Sequence, residues 1–180
     1  MRVFRFLVIA FLLVAFGAPV QAQAPADREN LLYIDLDYGR VVIRLRPDIA
    51  PRHVERVKEL ARAKFYDGQV FHRVIEGFMA QTGDPTGTGR GGSGRGNVNA
   101  EFSRVPFERG VVGAARSQSP NSADSQFFIM FARASSLDGQ YTVWGQVISG
   151  MEHVDRIRRG EPPARPDRML RVQVAADAPN

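Results

Sequence analysis

Two stretches of the chain place polar side chains that could bind a ligand close to aromatic residues. In the first, residues 71–84, Arg73 and Gln81 stand among aromatic residues and methionine. In the second, residues 120–129, Gln126 precedes two phenylalanines. Strand alternation would place Arg73 beside apolar side chains rather than in open solvent. The pattern is typical of an apolar pocket with fixed hydrogen-bond donors, although core aromatic residues beside one arginine would give the same composition.

The histidines and the acidic residues do not form a pattern that indicates acid–base or metal chemistry. His53, His72 and His153 lack a serine nucleophile motif, a second histidine at metal-ligand spacing and an adjacent carboxylate motif, so we expect structural roles for all three. Asp35 and Asp37 share one face of a strand, but this face lies opposite the apolar residues and is predicted to face solvent. The acidic loop pattern of calcium sites is also missing. We therefore predict no metal site.

The composition excludes several classes of protein. The 180 residues include no cysteine, which excludes a disulfide framework, a thiol nucleophile and a zinc–thiolate site. With 44% hydrophobic and 24% charged residues, the chain is typical of a globular domain rather than a disordered protein. The formal net charge of +5 does not by itself indicate a nucleic-acid partner.

The first 22 residues have the features of a secretory signal peptide. Arg2 and Arg5 precede an apolar run at Phe6–Phe16, and small residues follow up to Ala22. The run has about 11 residues, whereas a membrane-spanning helix needs about 20. We expect cleavage after Ala22, a periplasmic location and no stable membrane anchor. Removal of residues 1–22, which include two arginines and no acidic residue, leaves 158 residues and lowers the formal charge from +5 to +3.

Hydrophobic periodicity predicts one β-rich domain with short ends. Alternating apolar residues at 32–36 and 41–45 predict a β-hairpin. Apolar residues at steps of three and four predict an amphipathic helix over residues 50–64. The predicted boundaries are a flexible lead-in at 23–30, the domain at 31–176 and a tail at 177–180.

Short apolar runs bounded by turn residues predict the other strands. The runs lie at 70–74, 78–81, 110–115, 126–132, 141–147 and 169–174. Apolar residues at 151, 154 and 157 predict a second short helix. About eight strands and two helices without β–α–β alternation predict a closed eight-stranded antiparallel β-barrel capped by two α-helices.

Residues 87–96 are rich in glycine. They match the glycine pattern of dinucleotide-binding loops, but the residues that follow do not readily begin the helix that would bind the pyrophosphate. Arg90 and Arg95 are too few for an RNA-binding arm. We therefore expect a surface loop and no nucleic-acid partner.

The segments at 71–84, 121–129, 137–145 and 150–151 resemble, in order and spacing, the cyclophilin-type peptidyl-prolyl isomerases, in a form similar to the bacterial branch. The resemblance spans about residues 30–175. It implies a barrel whose outer face carries the active groove, Arg73 as the catalytic residue and no cofactor. It also implies nine substrate-binding residues: Phe78, Met79, Phe128 and Leu137 at the proline ring, Gln81 and Gln126 at its polar flank, Ala115 and Arg116 along the substrate backbone, and Tyr141 at the rim.

The same resemblance implies that the partners are proline-containing polypeptides. With the export signal, we expect a monomeric isomerase that acts on folding proteins of the cell envelope. Two alternatives stay open: a proline-binding or chaperone-like module without turnover, which the presence of Arg73 disfavours, and an arginine-driven nucleic-acid binder, which the signal peptide and the formal charge of +3 disfavour. Ser136 stands where many eukaryotic members have tryptophan, and Tyr141 where they have histidine, so we expect weak inhibition by cyclosporin.

Overall fold

The structure is a computed structural model and describes residues 25–179. Within this range the strands are β1 (Leu31–Leu36), β2 (Gly39–Leu45), β3 (Arg73–Ile75), β4 (Met79–Thr82), β5 (Val111–Ala114), β6 (Phe127–Met130), β7 (Val143–Ser149) and β8 (Arg171–Val174). The α-helices are α1 (Pro51–Arg62) and α2 (Met151–Val154), and 3₁₀ helices span Pro25–Asn30, Ser135–Leu137 and Ala175–Asp177. The prediction of a mostly β domain with two helices is therefore confirmed.

The eight strands form one antiparallel sheet in the order β3-β4-β6-β5-β7-β2-β1-β8. Within the described residues the edge strands β3 and β8 do not pair with each other, so the predicted closed barrel is wrong and the sheet is an open, curled half-barrel. Beyond β3, isolated bridges join Val74 to Gly160 and Val70 to Arg168. The segment that makes these bridges contains Pro162, Pro163 and Pro166, and a ladder cannot continue through proline because proline has no N–H.

The main core lies between one face of the sheet and the two helices. The apolar face of α1 supplies Val54, Val57 and Leu60, and the sheet supplies Phe127 and Trp144. The rings of these two aromatic residues pack edge to face, with centroids 5.3 Å apart. Burial of this face, rather than helix propensity alone, holds α1 on the sheet.

A carboxylate from another part of the chain caps the start of α1. The backbone N–H groups of Arg52 and His53 each donate to the carboxylate of Glu101 at 3.1 Å. The first N–H groups of a helix have no partner within the helix, and a negative charge there also complements the helix dipole. Glu101 therefore fastens the long loop between β4 and β5 to α1.

The two ends of the described chain pack together. Residues 25–30 form a 3₁₀ helix where the sequence predicted a flexible lead-in. Arg28 donates to the carbonyl oxygens of Ala175 and Ala178 at 2.7–3.1 Å, and Arg62 forms ion pairs with Glu29 and Asp177. These contacts hold the start of β1 beside the end of β8.

The longest helix in the described range is α1, with 12 residues. None of the helices within residues 25–179 is long and apolar enough to cross a membrane. The predicted signal peptide and its cleavage site lie outside the described residues, so export stays a prediction.

Candidate active site on the second face of the sheet

One row of paired residues across four strands sets up the site. Arg73 in β3 lies opposite Gln81 in β4, Gln81 lies opposite Phe128 in β6, and Phe128 lies opposite Gly113 in β5. Directly paired residues project their side chains from the same face of a sheet. Met79, two residues before Gln81, shares that face. This is the face away from the main core, and it carries a second apolar cluster.

The side chains of this face surround a pocket of about 120 Å³. The residues lining it are Arg73, Phe78, Met79, Gln81, Ala115, Arg116, Phe128, Leu137 and Tyr141. All nine belong to the ten site residues predicted from sequence. The tenth, Gln126, lines the adjoining groove and is hydrogen-bonded to Gln81. The fold thus brings residues from several separate stretches of sequence into one site.

The apolar part of the pocket is built on Phe128 and Met79, which are 5% and 2% exposed. The ring of Phe128 packs nearly perpendicular to Tyr141, with centroids 5.9 Å apart, and lies 5.7 Å from Phe107. Gly113 leaves the room for these rings, since a Cβ atom there would lie 2.5 Å from Cζ of Phe128. Sequence reasoning missed Gly113, which only the strand register places opposite Phe128, and Phe107, which reaches the Phe128 ring from the loop before β5.

Leu137 and Tyr141 reach the pocket from the loop between β6 and β7. Leu137 ends a 3₁₀ helix, and the N–H of Tyr141 donates to its carbonyl oxygen at 3.2 Å. Asp138 fixes this loop, because it accepts from the N–H of Phe107 at 2.8 Å and pairs with Arg133. The Arg133 guanidinium holds the pKa of Asp138 below its usual range. This wall of the pocket is therefore ordered by contacts outside the pocket itself.

The side chain of Arg116 joins two loops at the rim. It donates to the carbonyl oxygens of Ser117 at 2.9 Å and Gln140 at 2.8 Å. Its guanidinium also lies over the ring of Tyr141, 4.3 Å from the centroid, an arrangement favoured by cation–π attraction. The resemblance assigned only backbone contacts to this stretch. The N–H of Ala115 is already donated to the carbonyl oxygen of Gln126 at 2.9 Å, so that group is not available to a peptide.

A groove of about 410 Å³ adjoins the pocket and runs along the glycine-rich loop. Gln126 connects the two, because it accepts from Nε2 of Gln81 at 2.9 Å and donates to the carbonyl oxygens of Gly89 and Gly91 at 3.1 and 2.8 Å. The sequence predicted a surface loop here. The structure adds that this loop borders the site.

Asp84 anchors the glycine-rich loop through hydrogen bonds to a buried carboxylate. This residue is 1% exposed, and its carboxylate accepts hydrogen bonds from the N–H and hydroxyl of Thr86 and from the N–H of Gly89 at 2.6–2.8 Å. Burial alone would raise the pKa of Asp84, but hydrogen bonds from Thr86 and from the loop backbone outweigh burial and lower it to about 2. The anchor therefore stays charged at neutral pH.

The three histidines do not line the pocket. Burial lowers the pKa of His53 and of His72, and a 2.7 Å contact between Nδ1 of His53 and Glu101 partly offsets the shift for His53. Neither ring nitrogen of His72 has a hydrogen-bond partner within the described residues. Among residues 25–179, no three His, Asp or Glu side chains are grouped closely enough to hold a metal ion.

Arg73 has a partner that sequence reasoning missed. Its Nε donates to Oε2 of Glu161 at 2.7 Å. Its terminal nitrogens, Nη1 and Nη2, have no hydrogen-bond partner among the described residues. Glu161 lies 88 residues further along the chain, and no local pattern in the sequence connects the two. The arrangement presents a permanently charged, planar donor with unused N–H groups at the border of an apolar pocket.

Comparisons with known proteins point to the same family as the sequence does. The family model described as cyclophilin type peptidyl-prolyl cis-trans isomerase/CLD matches residues 31–174. A probable peptidyl-prolyl cis-trans isomerase from Brucella suis is 47% identical over 184 aligned residues, which cover 93% of each chain.

Two solved structures are similar to this one. Cyclophilin AquaCyp293 from Hirschia baltica has a TM-score of 0.79 at 30% identity, covering 85% of this chain and 76% of that chain. A cyclophilin type peptidyl-prolyl cis-trans isomerase from Cryptosporidium parvum, crystallised in the presence of the dipeptide Ala-Pro, has a TM-score of 0.74 at 27% identity, covering 80% and 98%. The resemblance seen in the sequence is confirmed, and the chain belongs to the cyclophilin-type peptidyl-prolyl cis-trans isomerase family.

Proposed function

We propose that this protein uses Arg73 to accelerate rotation about X-Pro peptide bonds in polypeptides of the cell envelope. The observation that carries the proposal is the position of Arg73, which lines the same pocket as Phe128 and Met79 and whose terminal nitrogens have no hydrogen-bond partner among the described residues. The proline ring of a peptide is the ligand that would occupy the pocket.

The chemistry of the reaction explains why such a simple site is sufficient. Resonance gives the peptide C–N bond partial double-bond character, so rotation about an X-Pro bond must cross about 18–20 kcal/mol. No covalent bond is made or broken. A catalyst therefore needs neither a nucleophile nor a metal for this step; it must bind the twisted amide more tightly than either planar isomer.

Arg73 can supply that preference. In the twisted amide the prolyl nitrogen regains a lone pair, which can accept a hydrogen bond that the planar amide cannot accept. A guanidinium directed at this nitrogen, or at the neighbouring carbonyl oxygen, stabilises the twisted state selectively. Because arginine stays protonated at any working pH, Arg73 acts as a fixed donor and not as a base.

The apolar side chains of the pocket would bind the proline ring of the substrate. Phe78, Met79 and Phe128 would hold the proline ring while the acyl side of the bond turns. A bound peptide that covers Arg73 would exclude water from it and strengthen its hydrogen bond, because charges interact more strongly in a medium of low polarity. Lowering the barrier by about 7 kcal/mol would accelerate the reaction about 10⁵-fold.

The location in the cell envelope is supported by the leader alone. Residues 1–22 combine a positive start, a short apolar run and small residues before Ala22, which is typical of a cleaved secretory signal. Expression of the full chain in a Gram-negative host, followed by cell fractionation and amino-terminal sequencing, tests this part. We expect a periplasmic protein that begins at Gln23. An uncleaved protein in the cytoplasm would contradict it.

Exchange NMR on a short peptide containing Ala-Pro tests the catalytic part. We expect the purified protein, at a small fraction of the peptide concentration, to produce cis–trans exchange cross-peaks that are missing without it. A peptide that binds without faster exchange would contradict catalysis and would favour a proline-binding module without turnover. A bound peptide should shift the resonances of the pocket residues in either case.

A further inference from the structure

Glu161 is placed beside Arg73 by the backbone and not by a chance contact of long side chains. Val74 and Gly160 form a two-way antiparallel bridge, with each N–H donating to the other's carbonyl oxygen at 2.8 Å. In antiparallel pairing the residue before one member lies opposite the residue after the other. Arg73 and Glu161 are therefore direct cross-strand neighbours, the position at which opposite charges interact best.

The segment that carries Glu161 is fastened on several sides. The N–H of Arg158 donates to the buried carboxylate of Asp167 at 2.8 Å, and the N–H of Phe71 donates to the carbonyl oxygen of Asp167 at 2.9 Å. At Gly160 the backbone has a φ of +145°, and a Cβ atom there would lie 2.5 Å from Cα of Pro163. Only glycine suits that position. The carboxylate of Glu161 therefore projects from a fixed backbone.

The ion pair with Glu161 engages Nε of the Arg73 guanidinium and leaves Nη1 and Nη2 for a ligand. The 2.7 Å hydrogen bond to Glu161 engages Nε, and the guanidinium is planar. Holding Nε thus restricts the plane in which Nη1 and Nη2 can lie. On its other side, Arg73 lies opposite Gln81, which also lines the pocket.

We propose that Glu161 is a positioning residue for isomerisation, whose carboxylate holds the Arg73 guanidinium so that its terminal nitrogens meet the twisted X-Pro bond. This inference rests on the proposed role of Arg73. The Arg73 and Glu161 side chains are 41% and 51% exposed, and an ion pair of that exposure contributes little to stability. The ion pair affects the reaction rate more than it affects stability, because small displacements of a catalytic group lower the rate strongly.

The chain offers a matched control for the loss of such a pair. Asp35 in β1 and Arg40 in β2 are also cross-strand neighbours, and their side chains are joined by a 2.7 Å hydrogen bond to Nε of the arginine. Neither residue lines the pocket. Asp35→Ala therefore removes another exposed cross-strand ion pair, one with a second hydrogen bond of 3.1 Å, from the same sheet without touching the site.

The experiment compares the wild-type protein with Glu161→Ala, Glu161→Gln, Asp35→Ala and Arg73→Ala. NMR line-shape analysis of an Ala-Pro peptide, titrated with each protein, separates kcat from KM. We expect Glu161→Ala to lower kcat about tenfold with KM changed less than about twofold. Glu161→Gln keeps an acceptor for Nε and should recover much of kcat, whereas Asp35→Ala should match the wild type. Thermal midpoints should agree closely for all the variants.

The outcomes separate this inference from the proposed function. An active wild type and an inactive Arg73→Ala, together with an unchanged kcat in Glu161→Ala, would overturn the positioning role alone. Equal losses in Glu161→Ala and Asp35→Ala would also overturn it, since a general effect on the sheet would then be responsible. An inactive wild type, or an Arg73→Ala variant with full activity, would instead contradict the proposed function.

Discussion

The side chains of Gln81 and Gln126 share a 2.9 Å hydrogen bond at the boundary between the apolar pocket and the glycine-rich loop. Nε2 of Gln126 also donates to two carbonyl oxygens of that loop, those of Gly89 and Gly91. One side chain thus connects the strand that carries the pocket wall to the loop that borders the groove.

Gln126→Ala should weaken substrate binding more than it slows catalysis. The loop would lose two hydrogen bonds, each of which contributes about 1 kcal/mol, so we expect KM to rise about fivefold with a smaller change in kcat. Line-shape analysis of a titrated Ala-Pro peptide measures both constants, and hydrogen exchange should be faster for the amides of residues 87–91.

Gln146→Ala is the control for this variant. Gln146 also donates its side-chain amide to backbone carbonyl oxygens, those of Arg109 and Val147, but it does not line the pocket. Its KM should match the wild-type value. An unchanged KM in Gln126→Ala, despite faster exchange in the loop, would show that the loop does not contribute to substrate binding.

Gly113→Ala should damage the pocket through the aromatic rings. The added Cβ would lie 2.5 Å from Phe128 and 2.6 Å from Phe107, so both rings must move. Overpacking of this kind costs about 1–3 kcal/mol of stability, and displacement of the Phe128 ring into the pocket should remove most of the activity. Urea unfolding and exchange NMR measure the two effects.

Gly68→Ala provides the comparison. Gly68 has a φ of +78°, but a Cβ atom there would meet nothing within 4 Å. Alanine at this position strains the backbone without crowding a ring, so stability should fall while activity is retained. If Gly113→Ala kept full activity at a similar loss of stability, the proposed clearance for the rings would be refuted.

The acid sensitivity of the fold should depend in part on His72. This ring is buried, and burial outweighs the opposing effects of Asp84 and Gln126, so the pKa of His72 is lowered. Below the ordinary histidine pKa of about 6.5, the unfolded chain then binds a proton more readily than the folded protein does. The contribution of His72 to stability is therefore complete above about pH 6.5 and is lost as the pH falls.

Urea unfolding at a series of pH values tests this expectation with His72→Gln. The free energy of unfolding should fall between pH 6.5 and 5 in the wild type, and less steeply in the variant, by up to about 1.4 kcal/mol per pH unit for one proton. Identical slopes would mean that His72 does not titrate differently in the two states.

Cyclosporin should inhibit this protein weakly. Ser136 is exposed beside Leu137 at the pocket wall and stands where the resemblance places a tryptophan in many eukaryotic members. A large aromatic surface contributes strongly to a binding interface, and serine cannot replace it. Titration of the isomerase activity with the drug measures the affinity, and Ser136→Trp should increase it at least about tenfold. Nanomolar inhibition of the wild type would contradict the expectation.

The parts of the fold that depend on local pattern were accessible from the sequence. Alternating apolar residues located the hairpin of β1 and β2, and the helical spacing of residues 50–64 located α1 to within two residues at either end. Whether the sheet closes is not a local property. It depends on which segment meets the outer edge of β3, and that segment, rich in proline, lies almost 90 residues away in the sequence.

Some residues of the site could likewise be predicted from local sequence, and others could not. Arg73, Gln81 and Gln126 could be predicted because each lies close in sequence to aromatic residues, and nine of the ten predicted residues line one pocket. Glu161 lies in a polar, proline-rich stretch where a carboxylate is ordinary. Its importance follows only from the cross-strand register that places it opposite Arg73, which the sequence pattern does not contain.

Exchange NMR on the Arg73→Ala variant is the most direct test of whether Arg73 catalyses the rotation. Because the ion pair of Arg73 with Glu161 is exposed, its loss should leave the far-UV circular dichroism and the thermal midpoint close to those of the wild type. With an Ala-Pro peptide, we predict that catalysed cis–trans exchange falls at least about 100-fold in this folded variant. Exchange at the wild-type rate in folded Arg73→Ala would contradict it.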